Sequence, residues 1–359
     1  MMHPSHAPHA HAATSVSRVM WLVIAALVPA TLFSIWLNGW PALLLWLVTV
    51  GSAVIAEFFC LRFAQRPAAP VLADGSAVLT GWLLALSLPA WAPWWIGALG
   101  SVFAVVVVKQ AFGGLGQNLF NPAMMARAML LIAFPVELTT WMQPAPLFSA
   151  DALSLSQSFA LTFLGQMPSS FDALSGATTL GHIKTELTRE ISVTQALAGH
   201  GQSMSASLFG LHGGSLGETA VLLLAAGGVA LIVLRVITWH IPLAVLAGVA
   251  LPALLLHAHD PARYLDATTH LLSGGLVLGA FFIATDPVTS PGTPRGQLVF
   301  GFGVGLLTWL IRTYGGYPEA IAFAVILMNA LVPVIDRYVR PRIYGHEKQR
   351  RAKPAKGGA

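Results

Sequence analysis

One stretch of this chain combines a hydroxyl, two small residues just ahead of it and a carboxylate six positions upstream: Asp172-Ala173-Leu174-Ser175-Gly176-Ala177-Thr178-Thr179. Gly176 has no Cβ and Ala177 little more, so the backbone there admits a bulky partner. Thr178 presents its hydroxyl on a β-branched side chain with few χ1 choices. A hydroxyl held this way, with Ser175, Gly176 and Ala177 just ahead of it and the Asp172 carboxylate upstream, suits esterification by a phosphate. The same letters fit an ordinary Ser/Gly turn equally well. A helix beginning just after Thr178 would aim unpaired N–H groups at a phosphate charge. Lys184 and His182, a few residues on, are expected to be solvated.

Ionisable residues inside apolar runs are the other candidates, because placing one at the bilayer centre costs about 3 kcal/mol on insertion scales. Arg127 follows Pro122 by five residues, near enough to an interface to extend its guanidinium to water. Asp286 precedes Pro287, where capping a loop competes with a role in an ion path. Glu57 and Glu319 sit close to expected helix ends and are expected to be wet. Trp91, Trp94 and Trp95 read as an interfacial belt. The single cysteine, Cys60, excludes an internal disulfide and an Fe–S cluster held by this chain's own thiolates. The twelve histidines are mostly isolated, with His3, His6, His9 and His11 in an N-terminal tail, and no metal site is expected.

The surrounding elements are set by composition. Charged residues make up 9 % of the 359 and mean hydropathy is +0.72, which places the chain among polytopic, all-α membrane proteins. No cleavable leader is expected, since the first 17 residues are polar. Apolar runs fall near 18–37, 41–60, 75–90, 92–111, 122–134, 217–237, 241–258, 270–285, 297–313 and 318–336. This predicts about ten transmembrane helices, five on each side of a polar region. The divisions are a tail at 1–17, a first repeat at 18–135, the polar region with the Thr178 stretch at 136–215, a second repeat at 216–336 and a basic tail at 337–359.

The halves match in order. Leu79-Thr80-Gly81 and Leu272-Ser273-Gly274 each open an apolar run; a full helix follows, then Gly113-Gly114 or Gly315-Gly316. Asn121-Pro122-Ala123 and Tyr317-Pro318-Glu319 then begin short helices expected to stop at Pro135 and Pro333. Five crossings per half make these inverted repeats, whose interrupted segments point to a site at mid-membrane. With both termini cytoplasmic, 14 of the 19 lysines and arginines fall inside and Thr178 is periplasmic. The net charge of +5 gathers after Arg337, beside a helix end, and lipid headgroups account for it without nucleic acid.

The Thr178 segment resembles the S/T-G-A-T flavinylation motif of the D subunit of the Rnf (Rsx) electron-transport complex. A related motif belongs to the B subunit of sodium-translocating NADH:quinone oxidoreductase. The likeness extends through Lys109-Gln110, Gly113-Gly114-Leu115-Gly116, Phe120-Asn121-Pro122-Ala123-Met124, Asp286-Pro287-Val288-Thr289, Arg312-Thr313-Tyr314-Gly315-Gly316-Tyr317-Pro318 and Arg340-Pro341-Arg342-Ile343-Tyr344-Gly345-His346. The resemblance implies FMN on Thr178 through a phosphoester, installed by a flavin transferase that reads Asp172. It also implies a second, non-covalent flavin (riboflavin) in the bundle, for which the turns at 113–123 and 286–292 are the places to look. It further implies a bacterial inner-membrane complex of the ferredoxin/NAD type that moves Na⁺ or H⁺, with a periplasmic-facing flavoprotein subunit and Fe–S membrane subunits as partners. This chain has no G-x-G-x-x-G in a strand–helix unit, so nicotinamide chemistry is assigned to other subunits. Apart from the resemblance, an inverted-repeat channel or transporter without flavin fits the same pattern.

Overall fold

The computed structural model describes residues 15–167, 178–200, 210, 213–317 and 319–340. Among these the chain is helical and without strands, an all-α polytopic membrane protein. The first half comprises α1 (Val16–Asn38), α2 (Trp40–Phe63), α3 (Ala68–Leu72), α4 (Ser76–Leu86), α5 (Trp94–Phe112) and α6 (Pro122–Ala133). Then come α7 (Pro135–Thr139), α8 (Leu155–Leu164), α9 (Thr179–Thr188) and α10 (Val193–His200). The second half is α11 (Val221–Val233), α12 (His240–His259), α13 (Ala267–Leu272), α14 (Leu276–Leu278, continuing as a π-helix over Gly279–Ile283), α15 (Pro294–Tyr314) and α16 (Ile321–Tyr338).

Six of these, α1, α2, α5, α12, α15 and α16, are long and apolar enough to cross a membrane. The other expected crossings are shorter. The 11 residues of α4 extend roughly 16 Å at 1.5 Å per residue, about half of a hydrocarbon core near 30 Å thick. A helix that stops at mid-depth leaves carbonyls that lipid cannot satisfy. Here the other half satisfies them: Gly217 N donates to Leu86 O at 2.6 Å and Leu216 N to Leu88 O at 3.2 Å. Gly217 is needed for that approach, because a Cβ there would lie 2.7 Å from Leu278 Cδ2 and 3.0 Å from Leu86 O.

The inversion is visible where the halves meet. Ser34, near the end of α1, hydrogen-bonds Leu216 O and Thr219 Oγ1, just ahead of α11. Farther back, Ala26 O would stand 2.5 Å from a Cβ on Gly227 of α11. Val19 and Val23 share a cavity wall with Val236 and Ile237, past the end of α11. The leading helices of the two halves therefore run antiparallel.

The symmetry is not complete. α6 ends at Ala133, ahead of Pro135 as expected, whereas α16 continues through Pro333 to Tyr338. Neighbouring groups in a membrane bundle can take up the bonds a proline frees. Gly113 and Gly114 adopt positive φ, of 116° and 102°, while Gly315 stays extended at φ −77°. Within the region read as polar, α8 begins at a Ser154/Gln157 capping box and packs against α2, and its Phe163 stacks on Trp94 at 6.2 Å. α9 and α10 bury a small core of Leu180, Ile183, Val193 and Ala196 against Leu265 of the second half.

Candidate functional site

Thr178 is the N-cap of α9. Its backbone is extended (φ −60°, ψ 155°) and its Oγ1 accepts from Gly181 N at 3.1 Å, replacing the partner that a first-turn N–H lacks inside a helix. The residue is 7 % exposed. A Cβ on Gly181 would lie 3.1 Å from the same hydroxyl oxygen, so the glycine relieves crowding around it. Asp172, Ser175, Gly176 and Ala177 lie outside the described residues.

Lys184 fixes the direction of α9. Its Nζ donates to the carbonyls of Arg312 at 3.4 Å, Gly315 and Tyr317 at 3.5 Å. Carbonyls at a helix end lack intrahelical donors and carry the negative end of the helix dipole. The ammonium thus docks α9 on the end of α15, where simple solvation had been expected. Partial burial lowers the Lys184 pKa.

Between α9 and the second half lies a cavity of about 330 Å³. Leu180, Ile183 and Leu187 form its apolar wall, and Tyr264 and Tyr314 supply aromatic rings. Arg263, Lys184, Arg312 and His270 bring nitrogen donors to it.

Arg312 leads from this cavity into the interior. Its guanidinium donates to His270 O (2.7 Å), Ser273 O (2.9 Å) and Glu319 Oε1 (3.3 Å). Glu319 Oε2 accepts from Arg127 Nη2 at 3.1 Å, and Oε1 also accepts from Gly275 N at 3.0 Å. The array is dry: Glu319 is 8 % exposed, Arg127 5 % and Arg312 6 %. Gly274 allows it to close, because at its φ of +69° a Cβ would overlap both Glu319 Oε1 and Arg312 Nη2. Buried Glu218 accepts from Ser215 Oγ at 2.6 Å and lies close enough to Glu319 and Arg127 to feel their charges.

A sequence model described as the NQR2, RnfD, RnfE family matches residues 3–345. The chain belongs to the NQR2, RnfD, RnfE family. It is 52 % identical over 341 residues to a protein of Halorhodospira halophila named as the D subunit of an ion-translocating oxidoreductase complex, with 95 % of both chains covered. A protein of the same name from Stutzerimonas stutzeri matches to the same extent. A third, from Rhodobacter capsulatus, is 48 % identical over 308 residues, covering 86 % of this chain and 85 % of the relative.

In this member of the NQR2, RnfD, RnfE family, three expectations drawn from the ionisable residues need correction. Arg127 does not extend to an interface but is buried against Glu319. Glu319 is not wet, since two arginines and a backbone N–H occupy its oxygens. Glu57 is buried, 2.7 Å from Lys109 Nζ, and also accepts from Gln110. Lys109 donates in addition to Ser76 Oγ at 2.7 Å. It lies in the π-helical part of α5, a local rewinding common at functional sites.

The two turns singled out in sequence do meet. Asn118, Asn121 and Asp286 line a second cavity, of about 80 Å³, together with Lys109, Phe281 and Phe282. The Asp286 carboxylate caps its own loop, accepting from Val288 N and Thr289 Oγ1, and also reaches Asn121 Nδ2 at 3.5 Å. Sequence reasoning missed Glu218, His270 and the inward role of Arg312. For Glu218 the available signal was an acidic residue inside the apolar run near 217–237, which ordinarily marks function in a membrane protein.

Proposed function

We propose that this chain is an electron-carrying membrane subunit of an ion-translocating oxidoreductase complex, with FMN attached to Thr178 through a phosphoester. The observation that carries the reading is the family match over 3–345 in a chain that has Ser175-Gly176-Ala177-Thr178 directly ahead of α9. The residues around Thr178 suit the group. A helix start favours a phosphodiester charge, and glycine at 181 spares the hydroxyl a Cβ that would stand 3.1 Å from it. Bound there, the flavin supplies uptake and release of one or two electrons. The chain's own part is to fix the attachment point with the α9 cap and to hold α9 against α15 through Lys184.

In this reading the complex lies in a bacterial inner membrane, with both termini cytoplasmic and Thr178 periplasmic. The excess of lysine and arginine at the ends bearing Arg18, Lys109, Arg235, Arg295 and Arg337 supports that orientation. Partner subunits supply ferredoxin/NAD chemistry, Fe–S centres and a periplasmic-facing flavoprotein, and a flavin transferase matures this chain. The ion is Na⁺ or H⁺. For the non-covalent riboflavin, the turns at 113–123 and 286–292, which come together around Asn121 and Asp286, are where this reading looks.

The test is expression in a host with an active flavin transferase, followed by denaturing electrophoresis and mass spectrometry of the Thr178 peptide. A fluorescent band with FMN mass on Thr178, lost in Thr178→Ala, is the expected result. Bare Thr178 in the unsubstituted chain would refute the reading and leave the channel alternative.

A further inference from the structure

We propose that α8 is seated in the bilayer: lipid acyl chains, and neither water nor another subunit, cover its outward face of Leu155, Phe159, Ala160, Phe163 and Leu164.

The polarity of α8 is inside out. The side turned to the protein is buried and carries Ser158 and Thr162 beside Leu161. The opposite side bears Leu155, Phe159 and Leu164, each more than half exposed, with Ala160 and Phe163 half-buried among them. A helix on the surface of a water-facing domain shows the reverse, its apolar stripe inward and its polar residues out. Small hydroxyl residues at the contact and apolar ones on the free face are the pattern of helices packed in lipid. Ser156 and Gln157, the polar residues of the outer side, are confined to the first turn. Charge agrees: between Asp151 and Asp172 the sequence has no aspartate, glutamate, lysine or arginine.

Both ends of α8 are closed by their own chain. At the start, Ser154 Oγ accepts from Gln157 N and the Gln157 side chain accepts from Ser154 N. At the end, Gly165, in the left-handed region at φ 67°, and Gln166 return their N–H groups to Leu161 O and Ala160 O. Hydrocarbon offers backbone groups no partner, so a helix immersed in it must satisfy its termini internally.

The depth fits as well. α2 and α5 run parallel, since Gly97 packs on Leu45 and Thr49 while Gln110 donates to Glu57. Trp94, three residues ahead of Gly97, is therefore level with a point about four residues past the start of α2, roughly 6 Å along its axis. Phe163 of α8 stacks on Trp94 at that level. Helices lying in the membrane interface bury their apolar face to roughly 5–10 Å. The exposed Leu47 of α2 and Leu99 of α5 meet lipid at a nearby depth. In the orientation proposed above this is the periplasmic leaflet. The chain that reaches Thr178, fourteen positions past Leu164, then departs from a helix anchored in lipid, whatever Thr178 carries.

The experiment places the unsubstituted chain, in its assembled complex, in nanodiscs whose phospholipid bears a diazirine on one acyl chain. Irradiation marks the segments that acyl chains touch, and mass spectrometry reads the mark on each peptide. The peptide over 152–167 should be marked to the same extent as the α2 peptide holding Leu47 and Ile55, and several times more than the α9 peptide holding Thr185 and Thr188. Spin labels at Phe159→Cys and Leu164→Cys, each in a Cys60→Ser background, give an independent measurement. Their collisions with oxygen should exceed those with a water-soluble nickel chelate several times over, as for a label at Leu47→Cys. Nickel access at both positions would show water on this face, and exclusion of both reagents would show another subunit. Either result, or an α8 peptide left unmarked while α2 is marked, overturns the proposal.

Discussion

Replacing Glu319 by glutamine tests the buried array most directly. The amide keeps the shape of the side chain and an oxygen for Gly275 N, but it removes the one negative charge that Arg127 and Arg312 share. Both guanidiniums are then left in a dry interior without their anion, although Arg312 keeps the carbonyls of His270 and Ser273. Deleting one partner of a buried pair ordinarily costs about 3–5 kcal/mol, because the survivor remains desolvated and unpaired. The lower figure applies if Glu218 moves to compensate, the upper if it cannot. Even about 3 kcal/mol is a change of more than a hundredfold in the folded population, at 1.36 kcal/mol per tenfold. The assay is reversible unfolding in mixed micelles at rising SDS fraction, followed by tryptophan emission. Arg127→Gln should cost less than Glu319→Gln, since Glu319 would still have Arg312. In the double variant the two losses should fall well short of additivity. A loss below about 1 kcal/mol for Glu319→Gln, or strict additivity with Arg127→Gln, would refute the view that one shared charge holds this region together.

Two further outcomes follow from the same reasoning. Lys109→Met takes the cation from the buried Glu57 carboxylate and leaves it only the Gln110 amide, whereas Lys109→Met with Glu57→Leu removes both charges; the single change should be the more destabilising by about 2 kcal/mol in the same unfolding assay. Gly217→Ala forces a methyl group between Leu278 and Leu86 O and should cost about 1–3 kcal/mol, read by SDS unfolding and by faster proteolysis after residue 86.

Much of the architecture could be read from the chain because hydrophobic runs and prolines report locally. α1, α2 and α5 emerged from their apolar lengths, and α6 from Asn121-Pro122 at its start and Pro135 beyond its end. The helix after Thr178 was also legible, since threonine is a natural cap. Pairings across long sequence separations were not. Arg127 and Glu319 are 192 residues apart, and nothing beside either one names the other. Lys184 looked like a surface lysine because its acceptors are backbone carbonyls of α15, which carry no residue signature. α8 was hidden for a different reason: the helix is only ten residues long and its first turns carry Ser156, Gln157 and Ser158. Pro333 misled because a proline stop and a proline inside a buried helix have the same letter.

The main-chain bonds joining Leu86 and Leu88 to Leu216 and Gly217 constrain how this protein is made. A nascent chain that has delivered α4 to the bilayer still lacks the donors for its terminal carbonyls, which arrive some 130 residues later. Until residue 217 leaves the ribosome, those groups must be kept wet or shielded by the insertion machinery. A product truncated within the insert would carry that bare end permanently, and cellular quality control would have a backbone defect to recognise, independent of any prosthetic group.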